Sequence, residues 1–246
     1  MTAIVGVRCR DGIVLGTDSS ATFGGGSLRT IEQPTDHKLQ IISGKLMLAG
    51  TGQIGLGQRV GHVLEEAYNA KAFTGHPLDV ATGIAQRIIA NFVSTSAQKG
   101  QYGALLAYPI GDTPCLCEFA VADLQPELKD DHIWYCSMGS AQPITDPFLG
   151  FIRRVFWSSG PPSTSEGVFA VLWTLQQAIE LNPGGVGGNA VVGVLSKAAD
   201  GKLSARQLTQ DELSEQKDAI DAAEQQLRAF RAANQAAAGA DFPAAP

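Results

Sequence analysis

The stretch 46-LMLAGTGQIGLGQRV-60 carries an apolar, strand-like run into Gly50-Thr51-Gly52-Gln53-Ile54-Gly55, and from there into a run of helical periodicity. A G-x-G-x-x-G turn between strand and helix has three uses. It cradles the pyrophosphate of a dinucleotide, if a second strand ending in Asp or Glu lies about 20 residues on to hold the ribose. It is a tight turn that glycines permit. Or its backbone N–H groups, at a helix N-terminus, face an anion that forms during a reaction. The first use conflicts with residues 60–100: a second helical run succeeds the first, and no β-run with a terminal acid occurs at the required distance.

Working outward, residues 3–9 and 13–18 are short β-rich runs joined through Arg10-Asp11-Gly12, and Asp-Gly between two such runs signals a hairpin. A glycine-rich excursion, TFGGGSLRT at residues 22–30, precedes a second hairpin, residues 38–42 and 45–49 around Ser43-Gly44. Residues 53–73 and 77–98 show helical periodicity, the second with Val80, Ile84, Ile88 and Phe92 on one stripe after Pro77 at its start. Residues 102–110, 115–122 and 132–138 read as strands, 147–157 and 165–181 as helices, and 189–196 and 203–208 as closing strands. The blocks are segregated, without βαβ alternation, so a layered α+β sandwich is expected in place of a doubly wound parallel sheet. Residues 1–208 form one domain on this reading. Residues 209–246 add an amphipathic helix, with Leu213, Ile220 and Leu227 seven apart, and an alanine-rich tail. That helix either packs on its own subunit or serves as a subunit contact or pore element.

The chain has 246 residues, 44% of them hydrophobic, enough for a substantial core. A net charge of -6 with no arginine-rich segment argues against nucleic acid. The chain has no apolar run of about 18 residues and no charged leader, so a cytoplasmic protein is expected. Cys9, Cys115, Cys117 and Cys136 lie in strand-like runs and read as reduced core residues; Cys115-x-Cys117 is the wrong spacing for zinc. His37, His62, His76 and His132 have no ligand spacing.

The third use of the glycine turn gains a partner at the N-terminus. Met1 is expected to be removed before a residue as small as Thr2, leaving a hydroxyl nucleophile that carries its own base. An α-amine has an ordinary pKa of about 7.7 to 8.0, so a nearby cation readily keeps it neutral and able to take the hydroxyl proton. Lys38 is the candidate cation. The hairpin register brings Asp18 close to the position opposite Thr2, where it would hold Lys38, and Gly52 would supply the oxyanion N–H.

These residues carry a resemblance to the proteasome β-type subunits, including the bacterial HslV peptidase, among the N-terminal nucleophile hydrolases. TAIVGVRCRDGIVLGTDSSAT resembles the family's opening, and HKLQIISGKLMLAGTGQIGLGQ its segment from active-site lysine to oxyanion glycine; the resemblance covers roughly residues 2–208. It implies a four-layer αββα sandwich and a threonine endopeptidase needing no cofactor, with Thr2 as nucleophile, Lys38 as active-site lysine, Asp18 as its partner and Gly52 at the oxyanion. It further implies a substrate pocket gated by Gly50, with Gln58 as lower wall, Asp36 at the side, and Ile54, Ala21 and Thr22 around it. A glycine at 50 is expected to leave the pocket mouth wide. The absent propeptide and extended C-terminal helix look most like the betaproteobacterial proteasome homologue group, implying a double homo-heptameric ring that takes unfolded polypeptide, with an unidentified ATPase or unfoldase as a further partner.

Two departures stand out against that pattern. In Ser137-Met138-Gly139-Ser140, Met138 is expected where the family has a serine bonded to the nucleophile's amine, leaving Ser137 or Ser140 to substitute for it, and Asn182 and Gly185 take the places of a later acid and serine. Between Asp18 and Lys38 this chain is also a few residues longer. Two alternatives therefore stay open: a weak or silent ring-forming homologue, and an N-terminal nucleophile amidohydrolase of small amides.

Overall fold

The computed structural model describes residues 2–23, 31–35, 37–97, 100–181 and 185–237. Its contacts divide into two units, Met1–Leu208 and Thr209–Pro246. In the first, β1 (Ile4–Arg8) and β2 (Gly12–Thr17) form the opening hairpin, with Ile4 opposite Thr17 and Arg8 opposite Ile13. A small second hairpin joins β3 (Ser20–Phe23) to β4 (Ile31–Pro34), pairing Ser20 with Pro34. The sequence reading saw only a glycine-rich excursion here, because four-residue strands flanking glycines carry too little periodicity; residues 24–30 themselves lie outside the described residues.

Next come β5 (Leu39–Ile42), β6 (Leu46–Gly52), α1 (Ile54–Asn69), α2 (Pro77–Val93), β7 (Tyr102–Ile110) and β8 (Thr113–Phe119). The α2 start has the expected Pro77 in its first turn, and His76 caps it by accepting the Leu78 N–H. A three-residue strand, β9 (Pro126–Leu128), extends the sheet and has no counterpart in the sequence reading, its flanks being turn residues. The next strand, β10 (Tyr135–Met138), is shorter than expected because the Asp130 carboxylate accepts the His132 and Ile133 N–H groups at 2.7 and 2.8 Å and turns the chain first. The helix expected at 147–157 is α3 (Gln142–Phe156), five residues longer at its start: Pro143 occupies the first turn and Pro147 is tolerated inside. The unit closes with α4 (Thr164–Leu181), β11 (Val191–Lys197) and β12 (Leu203–Gln207).

One five-stranded antiparallel sheet runs β10-β1-β2-β11-β12, the other β5-β6-β7-β8-β9. Strand periodicity explains how they stack. Met47 and Leu105 point one way and share a buried cluster with Ile4, Ile13 and Leu15 of the other sheet. Leu48 and Leu106 point the other way, against Val60 and Leu64 of α1 and Ile84 and Ile88 of α2. Being covered on both faces, β6 and β7 read as continuous apolar runs. On the far side α4 packs on β2; a Cβ on Gly16 would overlap Val171 and lie 2.7 Å from Leu175. Trp173 meets Phe148 of α3 at 5.5 Å between ring centroids. The result is the α+β, four-layer αββα sandwich. Each large side chain so buried contributes about 1.5–3 kcal/mol.

The second unit is α5 (Gln210–Ala237), started by a capping box: the Thr209 N–H donates to Glu212 at 2.8 Å and the Glu212 N–H to the Thr209 hydroxyl at 3.3 Å. Among the described residues no helix is long and apolar enough to cross a membrane. All four cysteines are buried and free. Burial raises their thiols, Cys115 to about 11 and Cys117 to about 12.

Candidate active site

A cleft of about 900 Å³ opens at the edge where β6 passes into α1, and it brings together Thr2, Lys38, Gly50, Gly52, Ile54 and Gln58. Ala21 lines it as well. Of the remaining expected pocket residues, Thr22 lies in β3 but its side chain is outside the described residues, as is the whole of Asp36.

The geometry starts from the β1–β2 hairpin. Continuing its register beyond Ile4 and Thr17 sets Ala3 beside Asp18, and the two exchange hydrogen bonds: the Asp18 N–H donates to the Ala3 carbonyl at 3.2 Å, and the Ala3 N–H to Asp18 Oδ1 at 2.9 Å. Asp18 is fully buried. A buried carboxylate is stable only when its lone pairs are filled, and here they are. Lys38 Nζ donates to Oδ1 at 2.7 Å, while the N–H groups of Gly187 and Ser20 donate to Oδ2 at 3.2 and 3.4 Å. With side chains 11% and 0% exposed, Lys38 and Asp18 form a buried ion pair, placed just before β5.

Thr2 is held from the other side by the loop after β10. Its backbone nitrogen donates to Ser140 Oγ at 3.1 Å, and its carbonyl accepts the Ala141 N–H at 3.3 Å and the Ser140 hydroxyl at 3.4 Å. That fit depends on Gly139, at φ +96°, where a Cβ would overlap the Thr2 carbonyl oxygen. Of the two serines flanking Met138 that could take the place of the family's serine, it is Ser140 that meets the Thr2 nitrogen. Met138 is 4% exposed and packs between the sheets, whereas Ser140, two residues on and past the strand end, meets the Thr2 nitrogen. Strand alternation and the turn at Gly139 decide this, and neither is visible in a four-residue match. Ser137 faces a different network, its hydroxyl donating to Asp146 Oδ1 at 2.5 Å and accepting from Thr145 at 2.6 Å, which pins α3 to β10. Asn182 lies outside the described residues.

Gly52 ends β6 at φ +121°, a conformation that disfavours any side chain, and Gln101 O occupies the place a Cβ would take. The helix beyond it starts at Gln53 with no side-chain cap and no acid in its first turn, so the positive end of its dipole is left facing the cleft, which Gln53 and Ile54 line. Among the described residues lining the cleft none is a carboxylate that would compete with an anion there.

The Tyr102 ring, from the start of β7, stands beside Gly50, in the space that a side chain at residue 50 would take. Sequence reasoning missed Tyr102. Its signal was the pair Gly50 and Gly57, which face one another across strand and helix and both border that ring.

The model of the family described as Proteasome subunit matches residues 2–124, half of the chain, and so takes in Thr2, Asp18, Lys38 and Gly52. No curated protein matches the chain.

Proposed function

The chain belongs to the proteasome subunit family, and on that basis we propose that it is a threonine endopeptidase whose nucleophile is Thr2 once Met1 has been removed. The observation that carries this reading is the convergence on one residue: the nitrogen that would become the α-amine lies 3.1 Å from Ser140 Oγ, in a cleft shared with the Lys38–Asp18 pair and the Gly52 turn. In the proposed reaction the amine accepts the Thr2 hydroxyl proton as Oγ1 bonds to the scissile carbonyl carbon, and the carbonyl oxygen becomes an anion facing the Gly52 turn. As the C–N bond breaks, the protonated amine returns its proton to the leaving nitrogen, leaving an ester on Thr2. Water, deprotonated by the same amine, then attacks the ester and releases the acid. Lys38, fixed by Asp18, provides positive charge that favours the neutral amine, and Ser140 orients it. No cofactor enters these steps.

Its substrates would be peptides or unfolded polypeptide, processed in the cytoplasm inside a ring of subunits, a double heptamer by resemblance to the betaproteobacterial group, with an ATPase or unfoldase as feeder. The deciding experiment is intact-protein mass spectrometry with a peptide epoxyketone, a reagent that must bond to both hydroxyl and α-amine of an N-terminal threonine. Loss of the Met1 mass followed by one adduct per 25.8 kDa chain, absent in Thr2→Ala, is the expected result. Complete Met1 removal without an adduct would sink the peptidase reading, and a monomer by sedimentation would sink the ring.

A further inference from the structure

Two glycines on different elements, Gly50 on β6 and Gly57 on α1, make room for a single side chain, that of Tyr102. A Cβ on Gly50 would overlap the Tyr102 hydroxyl oxygen and lie 2.6 Å from the carbon bearing it; one on Gly57 would lie 3.3 Å from the ring. Phe92 of α2 supports the ring from behind, edge-on at 6.3 Å between centroids. Tyr102 is thus 4% exposed, yet it lines the cleft beside Gly52. Its hydroxyl has no hydrogen-bond partner among the described residues. The nearby buried Tyr108, by contrast, donates to the Pro77 carbonyl at 2.9 Å. Thr17 Oγ1 is the one buried, unpaired side-chain oxygen among the described residues, so the Tyr102 hydroxyl is open to the cleft, where a ligand that replaces water can accept its hydrogen bond. Burial also raises the Tyr102 phenol, so it stays protonated and acts as a donor.

The cleft is lined by the polar Gln53, Gln58 and Thr35 and by the apolar Leu39, Ile41 and Ile54 alike, and Lys38, the one lysine among the described residues lining it, is already bonded to Asp18. A carboxylate entering here would lose its hydration without gaining a lysine of its own. A long apolar side chain would leave the phenol unpaired and cut off from water. We propose that Tyr102 determines specificity: its hydroxyl, standing where a residue-50 side chain would, donates a hydrogen bond to a neutral acceptor on the substrate residue preceding the scissile bond. The cleft then selects peptides with a carboxamide side chain such as glutamine there over apolar side chains of equal length. This rests on the peptidase reading above.

The test compares two capped peptides that differ only in Gln or Met before the central bond. Binding is measured by calorimetry on the full chain carrying Thr2→Ala, with Tyr102 intact and as Tyr102→Phe, and kcat/KM is measured with Thr2 intact. A neutral hydrogen bond predicts a Gln preference of roughly 5- to 10-fold that falls to near unity in Tyr102→Phe. Equal affinities, a preference that survives Tyr102→Phe, or binding of neither peptide overturns the proposal. Gln-selective binding without any turnover by the Thr2 chain would support the pocket and overturn the peptidase; turnover of both peptides without preference would do the reverse.

Discussion

At the residue scale, the centre rests on Asp18, whose two oxygens accept four donors from four separate parts of the chain: Ala3, Ser20, Lys38 and Gly187. Three are backbone N–H groups, fixed by the fold, and the fourth is the only charge among them. Removing that charge strands a carboxylate in a site with no water access. Lys38→Met should therefore abolish epoxyketone reaction and also destabilise the chain by about 3–5 kcal/mol, as for other broken buried pairs. Urea denaturation followed by circular dichroism reads this directly. A Lys38→Met chain as stable as the parent would mean that the pair is solvated, contrary to its 11% and 0% exposed side chains.

At the element scale, Thr2 is positioned by the junction between β10 and α3 and by the β1–β2 hairpin together. Each side contributes a backbone hydrogen bond, Ala141 N–H to the Thr2 carbonyl and Asp18 N–H to the Ala3 carbonyl, beside the side-chain contacts of Ser140 and Asp18. The weak point is Gly139, where the positive φ and the Thr2 carbonyl jointly exclude a Cβ. Gly139→Ala should push the Ser140 loop off Thr2 and lower the rate of epoxyketone adduct formation by about 10²-fold, the usual loss when a proton-transfer group is misaligned. Ser137 should keep α3 pinned through Thr145, so the far-ultraviolet spectrum should not change. Unchanged adduct kinetics would show that the loop does not orient the amine.

At the scale of the whole molecule, four thiols buried in three different places act as reporters of global opening. Cys117 faces the α1–α2 layer, Cys136 the space between the sheets, and Cys9 borders α4 at Gly167. Burial raises Cys115 to about 11 and Cys117 to about 12 from 9.0, with Tyr102 and Tyr108 raised too. Above pH 9 the unfolded chain loses these protons while the folded chain keeps them. Stability is therefore fully present below pH 9 and falls as pH rises from 9 toward 12. Urea midpoints between pH 8 and pH 11 should decline, and Cys117→Ala should flatten part of that slope. A flat profile would show the thiols to be hydrated.

The order of the longer elements, the α+β class and the grouping of Thr2, Asp18, Lys38 and Gly52 were legible in the chain before it is folded. All of these rest on local signals: the Asp11-Gly12 turn, continuous apolar runs at residues 46–50 and 102–108, and the glycine turn before α1. Folding alone settled which serine meets the Thr2 nitrogen, since Met138 and Ser140 differ by a strand end and a φ of +96° at Gly139. It also settled that Gly50 borders a tyrosine, because Tyr102 arrives on β7, with two helices intervening in the chain. Short elements, β3, β4 and β9, likewise escaped the pattern: three or four residues hold too few alternations to be read, and their pairing energy comes from neighbours already in place. Periodicity records which face of an element is buried. It does not record what lies across from that face, and across from it is where this cleft acquires both its amine partner and its floor.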